Sequence, residues 1–324
     1  LATGSNPFIL PIPGNDLPGV IGFRDIKDVE TMLAAARTGK NAVVIGGGLL
    51  GLEAANGLMK QGMQVTVVHV LDTLMERQLD PVAADMLRAN LEERGLRFLM
   101  GAQTAALLGE ERVRAVRFKD GLEIPTDLVV MAVGIRPNFE LAKQIGIYCE
   151  RGIVVNDTMQ TYDPRVYAVG ECVQHRGQCY GLVAPLWEQA KVCANHLARY
   201  GIGRYQGSVT STKLKVTGID LFSAGSFNGG PGCEEIVLRD PARGVYKKLV
   251  VKENRVQGAV LYGDTVDGSW YFQLLREGTD IGAFRETVLF GHAHMADSGR
   301  DGFSVMTMAD DAEICGCNGV CKGA

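Results

Sequence analysis

Apolar residues recur along this chain in rhythms that divide it. Residues 128–133 form a continuously apolar run, as expected of a strand covered on both faces of a parallel sheet. Shorter apolar strands at 42–45 and 64–68 flank a helical stretch over 49–61, so the three read as a βαβ unit with a right-handed crossover. Residues 25–37 carry a helical apolar pattern that ends at Gly39. Asp80 followed by Pro81 predicts a helix start, Asp as N-cap and Pro at the first helical position, with Gly95 at its end. Residues 96–100 read as a short strand, and Lys119-Asp120-Gly121 as a turn between two more. Beyond Gly152 strands and turns return, with 166–169 feeding Gly170, and a helix follows from about 185 to 200. From 208 to 261 the texture becomes β segments separated by Gly, Asn and Asp, which predicts a small antiparallel sheet with a helix near 269–276. Residues 1–20, with Pro7, Pro11, Pro13 and Pro18, read as a connector.

The chemistry concentrates where the first strand ends. Ala42-Val43-Val44-Ile45 runs into Gly46-Gly47-Gly48-Leu49-Leu50-Gly51, a Gly-x-Gly-x-x-Gly turn opening a helix. The first glycine makes the tight turn, the second admits a pyrophosphate to the backbone, and the third lets helix and strand pack closely. Gly46, Gly48, Leu49, Leu50 and Gly51 are therefore candidate dinucleotide-binding residues, the helix start offering free N–H groups and partial positive charge. About 20 residues on, where an acid usually meets the ribose, stands His69, which reads equally as a cofactor contact or as an ordinary surface histidine. Asp72 is the nearest acid by sequence, and Arg77 could meet a 2′-phosphate, so NADH and NADPH both stay open, the balance tipping to NADH. Glu53, two residues past the third glycine, is either a catalytic-site acid near the nicotinamide or an ordinary helix-surface acid.

With 324 residues the chain can hold two or three domains. A net charge of −4 with both signs interspersed excludes a nucleic-acid surface. No apolar run approaches a membrane span and no signal peptide is visible, so a cytoplasmic protein is expected. Cys149, Cys172, Cys179, Cys193 and Cys233 are scattered and read as small buried hydrophobes. Cys172 and Cys179 do not form Cys-x-x-Cys, which argues against a redox disulfide. His292 and His294 lie on a Gly-rich linker, where they read as solvated residues with a metal pair as the alternative. Cys315, Cys317 and Cys321 crowd the end at a spacing that suits a thiolate iron–sulfur site or a reduced tail; a cluster needs about four thiolates.

Four further segments make the chain resemble the two-dinucleotide-binding flavoprotein reductases. Ala2-Thr3-Gly4 is similar to the turn closing the first FAD segment, and Gly134 lies in a strand-to-loop return like that beside the nicotinamide. Gly170-Glu171 resembles the second FAD fingerprint, whose acid bonds the ribityl chain, with Glu in place of the commoner Asp. Pro185-Leu186-Trp187 resembles the helix start facing the flavin pyrimidine. Arg77-Gln78-Leu79-Asp80, the run 211–218 and the Cys-x-Cys tail narrow the resemblance to the large subunits of assimilatory NAD(P)H nitrite reductases.

That resemblance implies an α/β reductase with Rossmann-like FAD and NAD(P)H domains and an α+β interface domain. Its expected boundaries are 1–20 for an FAD-domain remnant, 21–140 for NAD(P)H, 141–204 for a second FAD segment, 205–290 for the interface domain, and 291–324 for a linker and the start of a ferredoxin-like module. Electrons would pass from NAD(P)H through FAD towards iron–sulfur and siroheme centres, with nitrite as final acceptor. Cys315 and Cys317 match the first half of a 2Fe–2S site; the siroheme, the 4Fe–4S cluster and the first FAD glycine motif fall outside the chain. The chain thus reads as an internal piece expected to hold FAD weakly. The family also suggests a small subunit and a homodimer. Two other readings remain: a stand-alone NAD(P)H–FAD reductase feeding a ferredoxin, rubredoxin or nitrate reductase, and a non-enzymatic nucleotide-binding module.

Overall fold

A computed structural model describes residues 1–214, 218–297, 313–315 and 320–323. Its first half is a five-stranded parallel sheet in the order Val20–Gly22, Leu128–Met131, Asn41–Ile45, Gln64–Val68, Arg97–Leu99. Three helices pack in this half at the places the sequence predicts, two of them opened by a capping aspartate. Asp25 caps Ile26–Thr38, its carboxylate accepting from the backbone of Lys27 and Asp28 while Asp28 reciprocates. Asp80 caps Pro81–Glu93 through the Ala83 N–H. Leu49–Lys60 starts at Gly48 and has no side-chain cap. Val43, Val44, Leu128, Val129 and Val130 are buried, as the unbroken apolar runs require. An antiparallel meander, Thr104–Leu108, Ala115–Phe118 and Glu123–Pro125, lies against this unit, with Lys119–Gly121 in the predicted turn region.

Residues 135–205 make a smaller unit. Ile135–Pro137 pairs antiparallel with Ser5–Pro7, and Ile153–Val155 pairs parallel with Val173–His175. Residues 166–169, which feed Gly170, form no strand. Tyr167 makes only an isolated bridge to Gln160, and Val169 donates instead to the carbonyl of Leu1, so no ladder builds there. The helix Val183–Leu197 starts two residues earlier than expected and ends three sooner.

The C-terminal unit is a five-stranded antiparallel sheet, ordered Ser211–Leu214, Leu221–Gly225, Arg255–Tyr262, Val245–Lys252, Glu234–Asp240, with the helix Gly268–Glu277. Alternation puts one side-chain set on each face. Leu221, Tyr246, Val260 and Tyr262 join the core of the parallel-sheet unit, whereas Phe222, Leu249, Leu261 and Ala259 pack with Tyr271 and Leu274 of the helix. Both faces are therefore covered within one chain. Polar contacts sew the junction: Tyr246 Oη donates to Asp80 Oδ2 (2.6 Å), Lys248 Nζ lies 3.4 Å from the same oxygen, and Tyr262 Oη donates to the Met86 carbonyl. His292 and His294 depart from the linker expectation, for they begin a helix, His292–Asp297. The His292 N–H donates to Asp267 and its ring lies against Trp270, contacts that a sequence pattern does not reveal.

Candidate dinucleotide sites

The glycine turn sits at the C-terminal ends of the parallel strands. Gly46 has φ +122°, and a Cβ there would overlap the Ala132 carbonyl. A Cβ on Gly51 would overlap the Gly46 carbonyl oxygen, so helix and strand pack closer than any other residue allows. Gly48 differs, for a Cβ would meet nothing within 4 Å. The protein fills the space beside the first and third glycines and leaves the second open. At that opening, the first turn of Leu49–Lys60 has N–H groups without intrahelical partners and no side chain capping them. An open space beside a row of bare donors at a positive helix end fits a pyrophosphate. Leu49 is half-buried and Leu50 exposed at this start.

His69 lies beneath the turn, not on the surface. It is 7% exposed, and its Nδ1 accepts the Gly47 N–H at 3.1 Å. That bond makes Nδ1 the acceptor and puts the proton on Nε2. Arg77 is exposed. Glu53 is half-buried, and desolvation raises its carboxyl above the ordinary 4.5.

The segments resembling flavin motifs converge from four places in the chain. The Leu1 backbone amine donates to the Tyr167 carbonyl and the Val169 N–H to the Leu1 carbonyl, which ties the Ala2–Gly4 turn to the approach to Gly170. Thr3 and Asn138 exchange hydrogen bonds, so the turn also meets the loop after Gly134. Gly170 has φ +99°, and a Cβ there would find only open space. Its N–H donates to the fully buried Gln189 Oε1, so the loop leans on the helix Val183–Leu197. That helix too has no side-chain N-cap. Pro185 is buried, Leu186 half-buried, and Trp187 is 57% exposed at its start.

Glu171 carries partners the sequence did not suggest. Its Oε2 accepts from Ser5 Oγ at 2.6 Å and from the Arg24 guanidinium. Arg24 belongs to the parallel-sheet unit, one residue before the Asp25 cap, so the longer acid bridges two units. Ser5 and Gln189 lie in the segments that resemble the flavin motifs, but no motif marks Arg24, and only tertiary folding pairs these side chains with Glu171 and Gly170.

Cys172 and Cys193 match the buried reading, whereas Cys149, Cys179 and Cys233 are only half-buried. Cys172 is fully buried, its Sγ donating to the Val169 carbonyl, and burial raises the Cys149, Cys179 and Cys193 thiols, keeping them protonated. Among the described residues no cluster of His, Cys, Asp or Glu could hold a metal ion. Cys317 lies outside the described residues, and Cys315 is described only as backbone in the strand Glu313–Cys315.

A parallel sheet with an open glycine turn, joined to a second glycine-bearing unit and an antiparallel C-terminal sheet, defines an NAD(P)H-dependent flavoprotein oxidoreductase. Comparison with known proteins agrees. Residues 1–196 match the model of the pyridine nucleotide-disulphide oxidoreductases and 211–279 that of the rubredoxin NAD+ reductase C-terminal domain. The chain belongs to the pyridine nucleotide-disulphide oxidoreductase family. It is 53% identical over its whole length to a nitrite reductase [NAD(P)H] of Bacillus subtilis (strain 168), covering 40% of that protein. It is 43% identical to an assimilatory nitrate reductase electron transfer subunit of the same organism, again over its whole length and 41% of the relative. The fold matches a NAD-dependent persulfide reductase from A. fulgidus with a TM-score of 0.79 at 25% identity, covering 88% of this chain and 57% of that one. The chain thus spans about two fifths of the curated relatives it matches.

Proposed function

We propose that this chain is the electron-input module of a nitrite reductase, taking electrons from NAD(P)H and passing them through FAD to iron–sulfur and siroheme centres that reduce nitrite. The observation that carries the proposal is the open space at Gly48 beside the uncapped helix start. Gly46 and Gly51 close the backbone around that space, and the N–H groups of the first helical turn, at Leu49 and Leu50, would bind the dinucleotide pyrophosphate.

On the flavin side, Ala2, Thr3 and Gly4 would line the cofactor from one direction and Gly170 with Glu171 from another. The uncapped helix start would face the flavin, with the free N–H groups of Val183 and Ala184 as donors, Pro185 and Leu186 beside them and Trp187 as an aromatic wall. Glu171 is held in place by Ser5 and Arg24, which fixes a carboxylate beside the open Gly170 loop. When bound, FAD accepts a hydride from the nicotinamide and releases the electrons singly. Glu53 would stand near that junction, where its desolvated carboxyl retains a proton more readily than a surface acid. Gly134 would border the nicotinamide. Cys315 and Cys317 would begin a 2Fe–2S site.

Nitrite as the acceptor is supported by the name of the 53%-identical relative. The nitrate reductase electron transfer subunit supports a second reading, a reductase handing electrons to a separate acceptor. No helix among the described residues is long and apolar enough to cross a membrane, and we place the protein in the cytoplasm. Because both faces of the C-terminal sheet are covered, a homodimer or a small subunit would use other surfaces.

The test is an anaerobic absorbance titration of the chain with added FAD, first with NADH and then with NADPH. Flavin bleaching that follows reductant stoichiometrically is expected. The full-length gene product should then consume nitrite; reduction of a nitrate reductase partner without nitrite turnover would favour the second reading. Absence of flavin reduction in both the chain and the full-length product would refute the reductase assignment.

A further inference from the structure

We infer that Glu76 is the residue that selects NADH over NADPH, a deepening that rests on reading the glycine turn as the nicotinamide-dinucleotide site. NADH-selective sheets of this kind place an acid at the end of the second strand, where it accepts hydrogen bonds from the ribose hydroxyls. Here the strand Gln64–Val68 ends in His69, whose Nδ1 is committed to the Gly47 N–H beneath the turn. An imidazole so buried cannot itself present an acceptor to a ribose.

The loop that follows brings a carboxylate back to the same place. The Met75 N–H donates to the Gly47 carbonyl at 3.0 Å, and the Leu79 N–H donates to the Met75 carbonyl at 2.9 Å. Met75 adopts a left-handed backbone, φ +50°, with its side chain buried, which pins the loop across the glycine turn. The next residue, Glu76, lays Oε2 3.3 Å from His69 Nε2, while its side chain stays 35% exposed. No aligned hydrogen bond joins them, so the buried Nε2–H faces the carboxylate as a polar neighbour and leaves its oxygens available as acceptors. Glycine turn, imidazole and carboxylate are thus stacked in one place: His69 supports Gly47 with one nitrogen and faces Glu76 with the other.

The competing residues are placed differently. Asp72 faces the loop after Arg97–Leu99, its Oδ1 lying 3.1 Å from where a Cβ on Gly101 would stand. Arg77 is exposed one residue beyond Glu76 and would be the natural partner of a 2′-phosphate. A carboxylate beside the ribose accepts from its hydroxyls and repels a phosphate that carries roughly −1.5 to −2 charge. Glu76 therefore sets the preference, and Arg77 does not overturn it.

The test is isothermal calorimetry of the chain with ADP-ribose and with 2′-phospho-ADP-ribose, ligands that need no flavin, on wild type, Glu76→Gln, Glu76→Asp and Arg77→Gln. Wild type should bind ADP-ribose at least about tenfold tighter than the phosphorylated form. Glu76→Gln should erase that preference, Glu76→Asp should retain part of it, and Arg77→Gln should leave it standing. A wild type that prefers the phosphorylated ligand overturns the inference, and so does a Glu76→Gln variant whose affinity ratio is unchanged. Binding of neither ligand to wild type would instead remove the dinucleotide reading on which the inference rests.

Discussion

Gly48 and Gly51 stand three residues apart in one motif, and the structure predicts opposite consequences for substituting them. Gly48 has φ −83° and ψ −178°, extended backbone that any residue adopts, and a Cβ there meets nothing within 4 Å. Gly48→Val should therefore fold, losing about 1 kcal/mol because valine is a poorer N-cap than glycine. With a urea m-value of roughly 2–3 kcal/mol/M, that moves the unfolding midpoint by less than about 0.5 M. The isopropyl group would nevertheless stand in the space assigned to the pyrophosphate, and ADP-ribose affinity should fall at least about 100-fold, or ~2.7 kcal/mol. Gly51→Ala is the converse case. Its Cβ would overlap the Gly46 carbonyl oxygen, a backbone atom that cannot rotate away, and would lie 3.5 Å from Ala132 Cβ. Helix and strand must separate, at about 3 kcal/mol or more, so the midpoint should drop by about 1 M or more. Urea unfolding followed by circular dichroism, paired with calorimetric titration of ADP-ribose, measures both quantities. A folded Gly48→Val that binds ADP-ribose within about threefold of wild type would refute the assignment of the turn. A Gly51→Ala variant as stable as wild type would refute the packing argument.

Three further predictions concern Glu53, Asp157 and Asp80. Glu53 has a raised pKa from desolvation, so the folded chain binds its proton more tightly than the unfolded one. Its contribution to stability is complete below 4.5 and is lost as pH rises through the higher folded value; Glu53→Gln should flatten urea midpoints measured upward from pH 4. Asp157 is opposite in sign, its carboxyl lowered to about 2 by hydrogen bonds from Arg176 and then His175. Its stabilisation is present above 3.8 and lost as pH falls towards 2, so Asp157→Asn should weaken the acid dependence in that window, read by the same midpoints. Asp80 caps one helix and faces two buried groups of the C-terminal sheet, Tyr246 Oη and Lys248 Nζ. Asp80→Ala should cost about 3–5 kcal/mol because it leaves that lysine with only the half-exposed Glu235. Asp80→Asn, which keeps the cap acceptor, should cost about 1–2 kcal/mol in urea unfolding. Equal losses for the two variants would deny Asp80 its junction role.

The sequence by itself determined the local elements and the nucleotide turn. Asp80 announces its helix because an N-cap acts on backbone donors two or three residues away, and the apolar pattern over 25–37 announces another. Gly46, Gly48 and Gly51 announce the turn because tight backbone geometry and close packing exclude side chains whatever lies around them. The unbroken run at Leu128–Met131 announced a strand buried on both faces. Such signals are local, and the resemblance to flavoprotein reductases was built on them. Only the tertiary structure decided what depends on residues far apart in sequence. It put His69 under the turn and returned Glu76 to it, joined Glu171 to Ser5 and Arg24 across 166 and 147 residues, and seated the C-terminal sheet on Asp80. It also denied a ladder to 166–169, where the available donors meet Leu1 and Met159 instead. A side chain's partner is set by which surfaces the fold brings together, and no spacing along the chain encodes that meeting.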